Sequence, residues 1–273
     1  MEVEIDISQN ATGNAQNYFE SSKKAKKKLK GAEEAVEKLK KKEDPERKKN
    51  SFEKKQPRKY QWYQKYRWFY TSQGNLAIGG RDAQTNEEII KKHTDRNDIV
   101  FHTDIAGSPF FVLKIEKKSR NSEENNELMQ EELQELADAT ASFSKAWGAG
   151  ASFADVYYVN PDQVSKSARA GEYLTKGSFM IYGRKNLMKG NLKLYAEIVS
   201  MKGAQYICIT PKKSSGSFLE ITPGQEKSSD AAKKMLAYLS ETGRTNIIID
   251  EIQSAIPGSG IHIEFLKQPK RHI

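Results

Sequence analysis

The residues best suited to chemistry are five cations within one short polar stretch of the chain. They are Lys166, Arg169, Lys176, Arg184 and Lys185, and serine, threonine and glycine residues lie among them. Lysine and arginine supply positive charge, hydroxyls and glycine-exposed amides supply directional donors, and a phosphate group uses both. The pattern favours an anion-binding loop. A basic loop that is merely solvated is the alternative on spacing alone.

Two β-type runs flank this loop and would position it. Residues 156–159 (VYYV) and 178–182 (SFMIY) are rich in β-branched and aromatic side chains, and Asn160, Pro161 and Gly183 provide turn chemistry after them. We therefore predict two strands, with cations on the connection between them and just after the second.

A His-x-Asp pair, His102 and Asp104, could hold a metal or act as a base with its orienting carboxylate. The other histidines, His93, His262 and His272, lie in unrelated contexts and supply no clear third ligand. The pair is therefore predicted to be a structural histidine or an RNA contact, and a metal-dependent hydrolase is the less favoured alternative. Because no nucleophile elbow, phosphate-loop lysine motif, zincin helix or paired-cysteine spacing occurs, we predict no enzyme, catalytic residue, cofactor or metal.

Two arginines complete the set of candidate RNA contacts. Arg67 lies in an aromatic-rich segment, residues 60–70, whose mixture of rings and cations suits stacking on bases beside phosphate neutralisation. So many aromatic residues more often seal a core, and that interpretation is favoured here. Arg81 follows two glycines at a predicted strand-to-helix junction, where backbone amides can face a phosphate.

Several blocks of the sequence together resemble the NFACT-R domain, the C-terminal part of the NEMF/RqcH/FbpA family of ribosome-quality-control factors, in its archaeal and eukaryotic form. The resemblance is close over about residues 58–190 and also includes Ala146 and Trp147. The blocks are residues 58–69 (RKYQWYQKYRWF), 79–84 (GGRDAQ), 102–108 (HTDIAGS) and 156–186.

The resemblance implies an RNA-binding module that acts on stalled large ribosomal subunits, with tRNA and large-subunit RNA as partners. In the family, residues that recruit tRNA lie largely in an N-terminal domain outside this sequence. The resemblance therefore implies that this chain contributes RNA contacts and a helical arm. The implied RNA-binding residues are Arg67, Arg81, His102, Lys166, Arg169, Lys176, Arg184 and Lys185.

Residues 1–59 are predicted to form a coiled-coil arm with a charged linker, ahead of the RNA-binding domain at residues 60–273. Small and apolar residues recur there at steps of four and three, which indicates either one face of a helix wrapped on a partner helix or on a second copy, or a solvated, partly frayed helix. A scaffold or adhesion protein, like the fibronectin-binding relatives, remains the alternative. The repeating residues are Ala11, Ala15, Tyr18, Ser22, Ala25, Leu29, Ala32, Val36 and Leu39.

The composition is compatible with these interpretations. The 273 residues carry a net charge of +9, with 37% hydrophobic and 30% charged residues, which favours polyanionic partners. The single cysteine, Cys208, excludes an internal disulfide and a multi-cysteine zinc site. Without an apolar run of membrane-spanning length or a leader, the sequence predicts a cytoplasmic protein with no membrane partner.

Hydrophobic periodicity predicts an α+β fold with a mixed, mainly antiparallel sheet and packed helices, preceded by the long helical arm. A hairpin turn is predicted at residues 72–75. Helices are predicted at residues 85–92, 123–147 and 228–243, and further strands at residues 76–78, 99–101, 110–115, 192–199, 205–210 and 218–221.

Overall fold

A computed structural model describes residues 10–41, 60–115, 123–167, 177–243, 246–258 and 260–266. The chain divides into two units, Met1–Arg58 and Lys59–Ile273, which are described separately. Within the described ranges, no helix is both long enough and apolar enough to cross a membrane.

The first unit contains one long helix, α1 (Ala11–Lys41). Asn10 caps its start, because the Asn10 Oδ1 atom accepts a 2.8 Å hydrogen bond from the backbone N–H of Gly13. The predicted seam residues Tyr18 and Leu29 are 47% and 60% exposed. A helix with apolar side chains this exposed gains little stability from burial, so pairing of the arm with another helix stays a prediction.

The second unit is built from two antiparallel sheets and a short ribbon. The larger sheet has the order β1-β2-β4-β3-β5-β8, the smaller has the order β10-β9-β11-β12, and β6 pairs with β7. The strands are β1 (Arg67–Tyr70), β2 (Leu76–Gly79), β3 (Ile99–His102), β4 (Phe111–Leu113), β5 (Phe153–Val159), β6 (Val164–Ser165), β7 (Met180–Ile181), β8 (Asn186–Asn191), β9 (Leu194–Met201), β10 (Ala204–Thr210), β11 (Leu219–Glu226) and β12 (Ile261–Phe265).

Helices cover these sheets. They are α2 (Ala83–Lys92), α3 (Glu123–Ser142), α4 (Ser228–Glu241) and α5 (Ile249–Ala255), with short 3-10 turns at Trp62–Lys65 and Pro161–Gln163. Every strand pairing in the described part of the unit is antiparallel. The predicted α+β class is confirmed.

The predicted hairpin is present at the edge of the large sheet. β1 pairs with β2 in the register Arg67 with Gly79 through Tyr70 with Leu76. Gly74 occupies the turn with a φ of +81°, a region that glycine reaches at little steric cost.

The aromatic segment before and within β1 mainly builds the core. Tyr63, Tyr66, Trp68 and Phe69 are buried, which fits the core interpretation of this segment. Burying one such ring contributes on the order of 2–3 kcal/mol to folding. Trp62 is half exposed and stacks on His93, with ring centroids 4.4 Å apart.

Helix α3 packs closely on β5 and β8 but ends earlier than predicted. It stops at Ser142 rather than near Trp147. The Ser144 Oγ–H donates to the carbonyl of Ala141 at 2.7 Å, and the backbone N–H of Ala146 donates to Ser144 Oγ at 3.1 Å. These local hydroxyl bonds replace the helical ladder and turn the chain, because a serine side chain can compete with helical backbone pairing.

The predicted strand at residues 178–182 is mostly wrong. Only Met180–Ile181 pairs, and its partner is the two-residue strand β6 rather than a strand of the main sheet. The sheet neighbour of β5 is β8, which was not predicted. Its sequence, NLMKGN, has no β-type alternation of apolar and polar residues. The strand instead packs tightly on α3, since a side chain on Gly190 would overlap the Ala137 backbone of that helix.

Candidate nucleic-acid interface

The segments that carry the family resemblance line one surface cavity of about 570 Å³, here called the signature groove. Three stretches form its walls: residues 80–83 with Asn86, residues 102–110, and residues 177–179. Arg67, Phe143 and Tyr157 complete the lining. Blocks that are far apart in the sequence therefore meet in space, which is the arrangement expected of a binding site.

The start of α2 forms one wall of the groove. Asp82 caps the helix by accepting a 2.8 Å hydrogen bond from the Thr85 N–H, and this bond is the main reason that the Asp82 pKa is lowered. Asn86 links the wall to the next segment, since its Oδ1 accepts from the Phe110 N–H at 3.1 Å. A Cβ on Gly80 would overlap Asn86, so the glycine is required by this close approach.

His102 lies against the groove with its ring held on two sides. Its imidazole is parallel to the Phe110 ring, with centroids 3.9 Å apart, and is edge-on to Tyr157. Nδ1 lies 2.9 Å from the carbonyl oxygen of Pro109, so it carries the proton. Burial lowers the pKa of His102 below its usual 6.5, so the ring is neutral at pH 7. It can offer RNA a hydrogen bond or a stacking edge, but not charge.

His102 and Asp104 do not act as a pair. The Asp104 carboxylate accepts a hydrogen bond from the Lys185 ammonium instead. The described residues also include no group of three His, Cys, Asp or Glu side chains that could hold a metal ion. The geometry therefore lends no support to the metal-dependent hydrolase alternative.

Arg67 is largely buried beside the groove. Its Nη1 donates to the carbonyl of Gly80, and its guanidinium lies 4.6 Å from the centre of the Phe143 ring. Burial, with the nearby charge of Arg81, lowers the pKa of Arg67 to about 10, so it remains protonated at neutral pH.

Arg81 joins parts of the fold that are distant in sequence. Its Nη1 donates to the Ser254 carbonyl at 2.8 Å and its Nη2 donates to the Tyr66 carbonyl at 3.0 Å. Burial lowers its pKa. The side chain therefore has a clear structural role in addition to its position in the groove lining.

Lys185 and Arg184 belong to the turn that leads into β8. The Lys185 Nζ is 2.6 Å from Asp104 Oδ1 and 4.1 Å from the centre of the Tyr157 ring. Arg184 is exposed, and its side chain has no hydrogen-bond or ion-pair partner in the described part of the chain. Arg184 is therefore available to a phosphate at small cost, whereas Lys185 would have to exchange its pair with Asp104.

Lys166 has intramolecular partners. Its Nζ is 3.3 Å from Glu87 Oε2, donates to the Ser178 carbonyl at 3.1 Å, and lies 5.0 Å from the Phe179 ring centre. Bonds from Lys91, from the backbone N–H of Gly177 and from Lys166 lower the pKa of Glu87 to about 2. The other two predicted loop cations, Arg169 and Lys176, lie outside the described residues.

The structure thus brings Arg67, Arg81 and His102 together in the groove and places Asp104, the partner of Lys185, in its lining. Sequence reasoning missed Asn86 and Glu87, which hold the groove walls and the end of the cation-bearing loop. Both lie in a predicted helix, and nothing local marks them as contact residues. Their role depends on partners 22 to 90 positions away in the chain.

Comparisons with known proteins agree with the resemblance. Residues 65–183 match the NFACT protein RNA binding domain. An archaeal Rqc2 homologue, aRqcH of Methanocaldococcus jannaschii, is 36% identical over 207 residues, which are 74% of this chain and 29% of that protein. The ribosome quality control complex subunit NEMF of Homo sapiens is 35% identical over 184 residues, which are 65% of this chain and 16% of that protein.

A Drosophila melanogaster NEMF homologue is 35% identical over 194 residues, covering 68% of this chain and 18% of that protein. This chain therefore spans less than a third of the length of each of these relatives. A solved structure, the C-terminal part of a Streptococcus suis fibronectin/fibrinogen-binding protein, gives a TM-score of 0.37 at 16% identity, with 66% of this chain and 76% of that one covered. That likeness is too weak to support a statement about fold or function. The matched segment is an NFACT RNA-binding domain, so the chain belongs to the NFACT family, whose relatives named above are ribosome quality control factors.

Proposed function

We propose that this chain binds structured RNA, tRNA or ribosomal RNA, as the RNA-contacting part of a factor that acts on stalled large ribosomal subunits. The observation that carries the proposal is the meeting of the family-specific segments in the signature groove. Residues 65–183 match an RNA-binding domain, and three stretches of that match, residues 80–83, 102–110 and 177–179, converge in the groove.

The chemistry of the groove suits a sugar-phosphate strand better than a small apolar ligand. The cavity is lined by the guanidinium-bearing Arg67 and Arg81 and by the buried polar residues Thr103, Ser108 and Asn86. RNA-binding proteins use such donors for phosphate and 2′-hydroxyl groups, and use aromatic or histidine rings for bases. The neutral ring of His102 and the Phe179 ring are the candidates for base contact.

Arg184, which is exposed, and Lys185, which is half-buried and paired with Asp104, would supply most of the electrostatic attraction. Phosphate contacts release counterions, so the logarithm of affinity falls linearly with the logarithm of salt concentration. Removing one cation that neutralises a phosphate should reduce that slope by about 0.7–0.9. Arg67 and Arg81 would then position the strand, because their guanidiniums are already held by carbonyl oxygens.

The proposal is tested by binding of labelled tRNA across salt concentrations of about 50–200 mM, a range in which phosphate-driven affinity changes steeply. Arg184→Ala and Lys185→Ala should each weaken binding and flatten the salt dependence, with unfolding temperatures close to that of the parent. Lys213→Ala is the matched control, since Lys213 is exposed in the loop between β10 and β11. Equal slopes in all four proteins would reject phosphate contacts by Arg184 and Lys185 and, with them, this placement of the RNA.

The RNA class requires a separate experiment in cells. Sequencing of RNA crosslinked to the protein, with and without stalled translation, should recover tRNA and large-subunit RNA, enriched on stalling. Recovery that is independent of stalling would leave an RNA-binding domain but contradict a role on stalled subunits. Deletion of residues 1–59 in the same experiment tests whether the arm is needed for that association.

A further inference from the structure

A second cavity lies on another side of the two guanidiniums. It has a volume of about 180 Å³ and lies between the Trp62–Lys65 turn, β1, β10 and α5; we call it the inner cavity. Arg67 and Arg81 line both the inner cavity and the signature groove. The inner cavity has its own lining otherwise, including Gln64, Lys65 and Glu251.

Four buried side-chain atoms of these lining residues have no hydrogen-bond partner within the described residues. They are the Tyr66 hydroxyl and three nitrogens that can only donate, Gln64 Nε2, Arg67 Nε and Arg81 Nε. The orientation of the Gln64 amide is fixed, because its Oε1 accepts a 2.6 Å hydrogen bond from the Gln61 N–H. Buried donors left unpaired cost about 1–3 kcal/mol each, so three such nitrogens on residues that line one cavity call for a ligand or ordered water.

The charge of the residues that line the inner cavity favours one kind of ligand over the others. Lys65, Arg67 and Arg81 are cationic, while the one carboxylate among the described lining residues, Glu251, accepts a 2.6 Å bond from the Tyr60 hydroxyl and a 3.3 Å bond from the Ile248 N–H. Water can satisfy donors, but each water molecule also brings two hydrogens that need acceptors. An oxyanion needs donors only, and guanidinium groups are its strongest partners.

We infer that the inner cavity is an anion site that takes a single phosphate-class oxyanion on Gln64, Arg67 and Arg81. This inference does not depend on RNA binding at the signature groove. Burial and, after it, the nearby charge of Arg81 lower the pKa of Arg67, and an anion beside the two guanidiniums would relieve the repulsion between them. The phosphate could be free inorganic phosphate or a phosphate of a bound strand.

Thermal unfolding of the full chain with inorganic phosphate tests the site, with potassium chloride at matched ionic strength as the reference. A ligand that binds only the folded state stabilises it by mass action. At phosphate near ten times the dissociation constant, the unfolding temperature should rise by about 3–6 °C above the chloride reference. No rise beyond chloride would overturn the inference and leave water as the occupant.

Two substitutions of Gln64 make the test specific. Gln64→Glu keeps the oxygen that accepts from Gln61 and places a carboxylate where the anion would sit, so the protein should stay folded and lose its response to phosphate. Gln64→Leu removes the donor without adding charge, and its response should need about tenfold more phosphate, the effect of one charge-assisted hydrogen bond. Gln130→Glu adds the same charge on the exposed face of α3 and should respond like the parent. An equal response in Gln64→Glu and Gln130→Glu would overturn the site.

Competition separates the two sources of phosphate. If the cavity receives a phosphate of the bound strand, inorganic phosphate should weaken RNA binding more than matched chloride does, and Gln64→Glu should abolish that difference. If phosphate raises the unfolding temperature but leaves RNA affinity unchanged, the cavity takes the free ion. If the parent chain binds no RNA but still responds to phosphate, the proposed function is rejected and the inner cavity remains an anion site.

Discussion

The His102 imidazole lies flat on the Phe110 ring, with 3.9 Å between centroids and 5° between planes. Burial in this stack lowers the pKa of His102, so the unfolded chain binds the proton more tightly than the folded protein does. The contribution of the buried, neutral His102 ring to the free energy of unfolding is therefore complete above the ordinary histidine pKa near 6.5. It is lost as the pH falls below that value.

The first prediction follows from this relationship. The free energy of unfolding should decrease between pH 7.5 and pH 5.5 by at most about 1.4 kcal/mol per pH unit for His102, and His102→Gln should flatten that dependence. Chemical denaturation at several pH values measures it. His93, whose pKa is also lowered by burial, provides the comparison. His93→Gln should remove only the part of the pH dependence that comes from His93 and leave the part that comes from His102. An unchanged pH dependence in His102→Gln would show that the ring is not held neutral.

The second prediction concerns the acid at the groove. Asp104 is 74% exposed and neutralises Lys185, so Asp104→Asn should free this cation and raise affinity for RNA by about two- to fivefold at low salt. Stability should change by less than about 1 kcal/mol, because surface ion pairs contribute little. The same binding titration measures it. Glu241→Gln makes an equal charge change in the last turn of α4, and an equal gain there would indicate only a general effect of net charge.

The sequence predicts the parts of this fold that depend on local pattern. The hairpin at residues 72–75 follows from its turn residues, and α2 follows from a glycine-punctuated start and a short helical period. Burial of Tyr66 and Phe69 follows from the density of aromatic residues around them. In each case the deciding interactions lie within a few residues of one another.

The candidate site depends instead on partners that are distant in sequence. Glu87 meets Lys166 and the Gly177 N–H across 79 and 90 positions, so the acid that holds the end of the cation-bearing loop is not visible from the loop itself. The strand β8 has little strand character and exists because β5 and α3 cover it. Spacing alone therefore identified five loop cations, but not which of them are held by carboxylates.

The third prediction tests the contact between the end of the loop and α2. Gly177 has a φ of +80°, and a Cβ added there would lie 2.5 Å from the Ala83 Cα atom. Gly177→Ala should therefore lose about 1–2 kcal/mol to backbone strain and about 1–3 kcal/mol more to overpacking. Gly74→Ala is the matched control: its φ is +81°, but nothing lies within 4 Å, so only the strain applies. Equal losses in urea denaturation would mean that the chain at Gly177 is not packed on α2.

The fourth prediction concerns the acidic face of α3, which holds the β1–β2 hairpin. Glu132 is 3% exposed, accepts from the Thr71 hydroxyl, and accepts from the Asn75 amide at 2.9 and 3.1 Å. Glu132→Ala leaves these donors unpaired and should lower the free energy of unfolding by about 1–3 kcal/mol in urea denaturation.

The neighbouring Glu131 provides the control for that measurement. Its side chain is 57% exposed and its partner is Lys212, at 3.1 Å. Because water screens such a pair, Glu131→Ala should cost less than about 1 kcal/mol. If the two substitutions cost the same, the carboxylate of Glu132 contributes no more to the stability of the hairpin than a surface charge does. A larger loss in Glu132→Ala would show that the buried carboxylate of Glu132 stabilises the hairpin through hydrogen bonds that the exposed Glu131 does not make.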